Sequence, residues 1–264
     1  MIIHDQLGRE IHLEKIPTRI ISVVPSITEL LFDLGLREEV VGITKFCVHP
    51  EEWFRSKQRV GGTKQLKIDL IKSLQTDLII ANKEENMQSD IDALATFTQV
   101  YICDIKTIDD AYKMISDVGE LTNKKSAAEK LIAEIKTAFN SKPETKNPKL
   151  KTLYFIWRAP YMIAGGDTFI SEMMNHAGFE NAASHLNRYP SVSIEEIKNL
   201  NSEILLLSSE PFPFKQKHIN ELQEIFPAQK IIFADGELFS WYGSRMKLAP
   251  DYFRSLPQQL ANSF

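Results

Sequence analysis

Six consecutive residues, Ser240-Trp241-Tyr242-Gly243-Ser244-Arg245, concentrate the chemically useful side chains of this 264-residue chain. Two large aromatics, a flexible glycine and a guanidinium stand together after the last predicted strand. Aromatic faces grip flat or bulky apolar ligands, and arginine pairs with carboxylates or phosphates. Trp241, Tyr242 and Arg245 are therefore ligand-contact candidates, with core packing of Trp241 as the competing reading. Trp157-Arg158, at the end of a predicted strand, has the same profile. Phe212 and Phe214 lie between prolines in a predicted loop, where an exposed aromatic is costly unless it has a partner, so Phe212 joins the candidates. This is chemistry of holding rather than of bond-making.

Covalent catalysis finds no support. There is no Walker loop, no GxGxxG, no GxSxG and no HExxH, so no catalytic residue is assigned. Cys47-Val48-His49 offers two soft-metal donors in a predicted loop, too few for a closed site. His4, His12, His176, His185 and His218 show no ligand spacing, and no protein metal site is expected. Cys103, in Val100-Tyr101-Ile102-Cys103, reads as a buried strand thiol.

The elements that must position these residues are strands alternating with helices, which implies parallel sheets and an α/β fold. Arg19–Val24 is a β-branched run, as in a strand buried on both faces. Pro25-Ser26 then opens a helix, with Ser26 as cap and Glu29 three residues on. A helix at 123–142 lines Ala128, Leu131, Ile132, Ile135, Ala138 and Phe139 on one face. Thr122 or Asn123 caps its start, and Pro143 and Pro148 stop it. The flanks of this helix resemble each other. KIDLIKSLQTDLII at 67–80 parallels SIEEIKNLNSEILL at 193–206, so that Asp69 answers Glu195 and Asp77 answers Glu203. Upstream, Thr28-Glu29-Leu30-Leu31 with Gly35 parallels Ser171-Glu172-Met173-Met174 with Gly178. The pattern predicts two Rossmann-like lobes, 1–122 and 143–264, joined by one long connecting helix at 123–142.

In open parallel sheets ligands sit beyond the carboxyl ends of the strands. Here those ends lead into Pro25–Ser26, Lys45–His49, Asn82–Asn86, Arg158–Gly166, Ser209–Phe214 and Asp235–Arg245, which predicts a ligand cleft between the lobes. At 43% hydrophobic and 25% charged the chain can bury a core and stay soluble. The net charge of −4, with both signs interspersed, excludes a nucleic-acid surface. No apolar run is long enough to span a bilayer. MIIHDQLGREIHLEKIP has none of the parts of a signal peptide, which predicts a cytoplasmic chain or one whose export signal is gone.

The run Pro17-Thr18-Arg19-Ile20-Ile21-Ser22-Val23-Val24-Pro25-Ser26-Ile27-Thr28-Glu29-Leu30-Leu31, with Gly35 and Val41-Gly42, resembles the opening of the substrate-binding proteins of ABC importers for ferric siderophores and cobalamin. IDLIKSLQTDLII at 68–80, Gly178 with Glu180-Asn181, and the later SIEEI helix carry the resemblance through most of the chain. It implies a non-enzymatic, periplasmic or cell-envelope protein that captures a metal chelate or corrinoid and delivers it to an importer. It also implies docking of Asp69 and Glu195 on the permease. No cofactor is then needed, since a ferric siderophore, cobalamin or haem brings its own metal, and a monomer is expected. Two other readings stay open on the sequence alone: a two-lobed enzyme acting on a tetrapyrrole or metal chelate, and a cytoplasmic carrier without a permease partner.

Overall fold

A computed structural model describes residues 1–140 and 149–261. The chain divides into two compact units. The first comprises Met1–Ile105, Asp109–Ile135 and Tyr242–Arg245; the second comprises Lys106–Ile108, Lys136–Trp241 and Met246–Phe264. A short late segment, Tyr242–Arg245, belongs to the first unit, and Lys106–Ile108 belongs to the second.

The first unit is built on a five-stranded, all-parallel sheet in the order Gln58–Arg59, Val40–Ile43, Ile20–Ser22, Leu78–Asn82, Gln99–Cys103. Every residue of Leu78–Asn82 is buried, as a strand covered on both faces requires. Ile21, Val23, Ile79, Ala81, Val100 and Ile102 alternate along their strands and pack against Ile91 and Leu94 of the helix Gln88–Ala95. The predicted N-terminal hairpin is present as Ile2–His4 against Glu10–His12. Buried Asp5 ties it to the sheet, accepting from the amides of Leu7 and Arg9 at 2.9 Å and from the Ile102 amide at 3.3 Å.

The second unit repeats the central frame: Leu150–Trp157 pairs in parallel with Ile204–Ser208 and with Phe179–Asn181, and Ile204–Ser208 with Lys230–Ala234. Its sheet is mixed rather than wholly parallel. Tyr161–Ile163 turns back antiparallel on Leu150–Trp157, and Ser191–Val192 extends that edge. The stretch 158–168, predicted as loop, therefore contains a strand too short and too near its partner to show a period of its own.

The sequence repeat is realised atom by atom. Asp77 and Glu203 each receive the backbone amide at the start of the neighbouring central strand, from Arg19 and Lys151 respectively, both at 3.0 Å. Their own amides return a bond to the same residues' carbonyls. The helices Ile68–Ser73 and Ile194–Asn199 both end at a left-handed residue, Gln75 and Asn201, each at φ 49°. Gly35 and Gly178 close the helices Pro25–Asp33 and Phe169–His176 at φ 85° and 87°, a conformation that suits glycine.

Two local expectations are corrected. Ser26 does not cap its helix: Pro25 occupies the first turn, where a missing N–H costs nothing, and Ser26 is buried inside the helix. The connecting helix runs Lys125–Asn140, beginning in the first unit and ending in the second. Thr122 donates back to the Val118 carbonyl and Asn123 adopts φ 56°, so this pair terminates the preceding helix, Ile108–Leu121, instead of capping the next. Ala128, Leu131, Ile135 and Phe139 are buried, and Ile132 and Ala138 half-buried, as the spacing predicts. Lys142, Pro143 and Pro148 lie outside the described residues.

Removing the paired acceptors should separate the two frames quantitatively. Asp77 also accepts from the amide and hydroxyl of Thr18, so Asp77→Ala should cost about 1.5–3 kcal/mol, and Glu203→Ala about 1 kcal/mol. Urea midpoints of the two variants check this; equal effects near zero would deny the carboxylates their role at the strand starts.

Candidate functional site

In the first unit the carboxyl ends of the strands present apolar side chains to solvent. The turn after Val40–Ile43 is tight: the Phe46 amide donates to Thr44 Oγ1, and the Cys47 and Val48 amides donate to the carbonyls of Thr44 and Phe46. Alternation in this turn points Cys47 inward and leaves Phe46, at 50% exposure, and Val48 outside. The Lys45 ammonium stands 5.0 Å from the Phe46 ring centre. After Leu78–Asn82 two buried asparagines fix the loop. Asn82 Oδ1 accepts from the amides of Glu84 and Glu85, and Asn86 receives the Asn82 amide while donating to the carbonyls of Val23 and Thr63. Met87 follows, also exposed. Phe46, Val48 and Met87 were not among the sequence-derived candidates. The signals for them were a Thr-x-Phe turn and an Asn-x3-Asn loop, both legible only once the strands before them are placed.

Cys47 is no exposed metal donor. Thr28 Oγ1 and Thr44 Oγ1 both lie 3.1 Å from its sulfur, and burial pushes the thiol up, away from the thiolate a metal needs. Cys103 ends its strand as a buried thiol pushed up to about 12 by burial.

In the second unit Trp157 closes the central strand at 40% exposure and meets Phe212 edge-on, with ring centres 5.6 Å apart. Phe212 leans in turn on Phe214 at 4.8 Å and on His218 at 5.4 Å. Phe214 and His218 are buried. His218 Nδ1 accepts the Lys215 amide at 2.9 Å, and burial, with Arg158 adding to it, holds the imidazole below its ordinary value. The neutral ring is thus a support beneath the Phe212 face. Arg158 donates to Glu221 at 2.6 Å, and hydrogen bonding to Tyr161 and this pairing favour its charged form. A shallow depression of about 320 Å³ lies between Arg158–Tyr161 and Val192–Ile194. Ile194 opens the helix that carries Glu195.

The third group of candidates is placed differently. Trp241 is 7% exposed, and its Nε1 donates to Glu210 at 2.7 Å, alongside the Ser240 hydroxyl at 3.0 Å. Burial pushes the Glu210 carboxyl up. Tyr242 is 6% exposed, and its hydroxyl donates to Glu85 at 3.0 Å. Arg245 forms a two-pronged pair with Glu29, at 2.8 and 2.6 Å, with both side chains mostly buried. Glu29, expected in a capping box, is instead this partner. The structure brings exposed Trp157 onto half-buried Phe212, with half-buried Arg158 next in the chain; Trp241, Tyr242 and Arg245 are interior.

Asp69 and Glu195 sit in the first turns of equivalent helices, both exposed. Among the described residues no hydrogen bond or ion pair holds either carboxylate. Glu196, by contrast, is taken up by the amide and hydroxyl of Ser193, which hold its carboxyl below the usual range. No helix among the described residues is long and apolar enough to cross a membrane.

The fold is thus two α/β units in tandem, each with an exposed aromatic at a strand end, Phe46 in one and Trp157 in the other. The chain belongs to the periplasmic binding protein family, whose model matches residues 20–227. It is 28% identical over 215 residues to an ABC transporter substrate-binding lipoprotein of Bacillus subtilis, YvrC, covering 77% of this chain and 68% of the relative. It is 27% identical over 194 residues to a vitamin B12-binding protein of Vibrio campbellii, covering 72% and 70%. Among solved structures, the periplasmic heme-binding protein BhuT in complex with two hemes superposes with a TM-score of 0.79 at 20% identity, over 92% of this chain and 98% of that one.

The two tryptophans should respond oppositely to truncation. Trp241→Ala removes a buried side chain and one of the two donors to Glu210, and should cost about 3–5 kcal/mol. Trp157→Ala, at an exposed position, should cost less than about 1 kcal/mol. Thermal unfolding of the two variants tests this, and a larger loss at Trp157 would reverse the assignment of surface and core.

Proposed function

We propose that this chain captures a bulky, nearly neutral metal chelate, a cobalamin-class corrinoid first among them, and delivers it to an ABC importer without altering it. The observation that carries the reading is the pairing of exposed apolar faces with cations already engaged. Phe46, Val48 and Met87 at the strand ends of one unit, and Trp157 with Phe212 in the other, offer apolar surface far in excess of what a small polar solute needs. Three cations of these loops are held by carboxylates, Arg158 by Glu221, Arg245 by Glu29 and Lys83 by Asp104, while Lys45 lies against the Phe46 ring. A ferric catecholate, which carries several negative charges, would have to break those pairs. A corrinoid, whose large rim is mostly apolar and amide-bearing, would not. Relatives named for vitamin B12 binding and for ABC substrate binding support the same class and a place in the cell envelope. Trp157 and Phe212 are the proposed apolar contacts of the second unit, with Arg158 orienting the ligand's polar edge.

The test is a thermal-shift and calorimetric screen with cobalamin, hemin, a ferric hydroxamate and a ferric catecholate. A ligand that binds only the folded chain adds about 2.7 kcal/mol at a hundredfold excess over Kd. Cobalamin should give the largest shift, and Trp157→Ala should reduce it. A dominant shift from the catecholate would overturn the argument from engaged cations, and no shift from any of the four would overturn the chelate reading.

Docking on the permease is assigned to Asp69 and Glu195, which are equivalent in the repeat, solvent-facing and not used internally among the described residues. Their loss should cost only about 0.3–1 kcal/mol of fold stability, since helix-start carboxylates interact weakly with the dipole. Their larger effect is charge complementarity with a basic partner, which acts on encounter and register. Asp69→Ala with Glu195→Ala should leave ligand affinity unchanged and impair importer-dependent uptake. Uptake equal to wild type would remove the docking role.

A further inference from the structure

The segment Tyr242–Arg245 belongs to the first unit although the residues on both sides of it, through Trp241 and from Met246, belong to the second. The change of allegiance falls within one peptide bond. Trp241 is bonded to Glu210 inside the second unit at 2.7 Å, while Tyr242 is bonded to Glu85 inside the first at 3.0 Å. Glu85 follows the strand Leu78–Asn82, and Glu210 follows Ile204–Ser208, the strands that answer each other in the repeat. The two halves thus use corresponding strand-end carboxylates to hold adjacent aromatic residues. Further along, Gly243 adopts φ 118°, and a Cβ there would lie 3.4 Å from Leu30 Cβ and 3.5 Å from the Ser26 carbonyl. Arg245 then grips Glu29 with two bonds, and the fully buried Met246 returns to the second unit.

We infer that Tyr242–Arg245 is a strap that makes the two units one cooperative folding system, whatever ligand is bound. The strap completes the interior of the first unit, and the chain entering and leaving it belongs to the second. If the second unit opens, the strap hangs from the first on a loop of about a hundred residues, and closing such a loop costs entropy that the folded second unit has already met. Stability of the first unit therefore depends on integrity of the second, and the dependence runs through Glu29–Arg245 and Glu85–Tyr242.

Calorimetry on the full chain tests this. The wild-type protein should unfold in a single transition with equal calorimetric and van't Hoff enthalpies, which is unusual for a chain of two units. The double variant Glu29→Gln/Tyr242→Phe should show two separated transitions. Asp77→Ala, which weakens the first unit away from the strap, should keep one. Two transitions in the wild type, one in the strap variant, or two in the Asp77 control would each overturn the inference. If the strap variant does not fold, hydrogen exchange on the wild-type chain decides. Equal opening free energies for the most protected amides of Leu78–Asn82 and Ile204–Ser208 support the strap, and distinct values refute it.

Discussion

Everything functional in this chain follows from parallel pairing at the two sheet centres, Ile20–Ser22 on Leu78–Asn82 and Thr152–Phe155 on Ile204–Leu207. Parallel strands must be joined by crossovers, so all their carboxyl ends come to one edge of each sheet and release their loops there. The register is locked by side chains as well as by the ladder. Asp77 and Glu203 each clamp the first amide of the neighbouring strand, and a one-residue slip would break that clamp and turn the buried faces outward. With the register fixed, the exposed positions of Phe46, Met87 and Trp157 become consequences of where each strand stops.

The frame was legible from the sequence because the same physical device was written twice. The x-Ile-acid-x-Ile-Lys-x-Leu run encodes a short helix and a left-handed exit at Gln75 or Asn201, local events that residue types specify, and places after them the carboxylate that clamps the neighbouring strand. The site was legible only in part. Trp157 and Phe212 were found because an aromatic at a strand end or between prolines stands out against its neighbours. Phe46 and Met87 were missed because nothing in their composition says which way a turn faces; that is settled by Thr44 and by the pair Asn82 and Asn86. Trp241, Tyr242 and Arg245 looked most like a ligand site and are interior, because their partners Glu210, Glu85 and Glu29 are 31, 157 and 216 residues distant. No local pattern announces partners at that separation.

The interior placement has a physical logic. An arginine and two polar aromatics are expensive to bury unless each donor finds an acceptor, and a buried pair broken on one side costs more than it would at the surface. The chain meets that condition with three carboxylates, one for each donor group. The charge of Arg245 is spent internally, and the exposed Phe46, Val48, Met87 and Trp157 give the strand ends much of their surface. The demand of the interior for paired charge and the apolar character of Phe46, Met87 and Trp157 outside are two sides of one allocation.

Where the two halves diverge shows what the duplication left free to change. The central strands, their clamps and the glycines at Gly35 and Gly178 are common to both. The edges are not. The first unit fills the space before its Ile68 helix with Glu51–Ser56 and the short ladder of Gly61–Gly62 on Gln65–Leu66; the second inserts the antiparallel strands Tyr161–Ile163 and Ser191–Val192. Each insertion begins at a carboxyl end that carries an exposed aromatic, Phe46 in one case and Trp157 in the other. The frame common to both halves thus carries its differences at the carboxyl edges of the sheets, where the crossover loops leave. The edge segments can be rewritten while the clamped centres and the exposed carboxylates of Asp69 and Glu195 keep their positions.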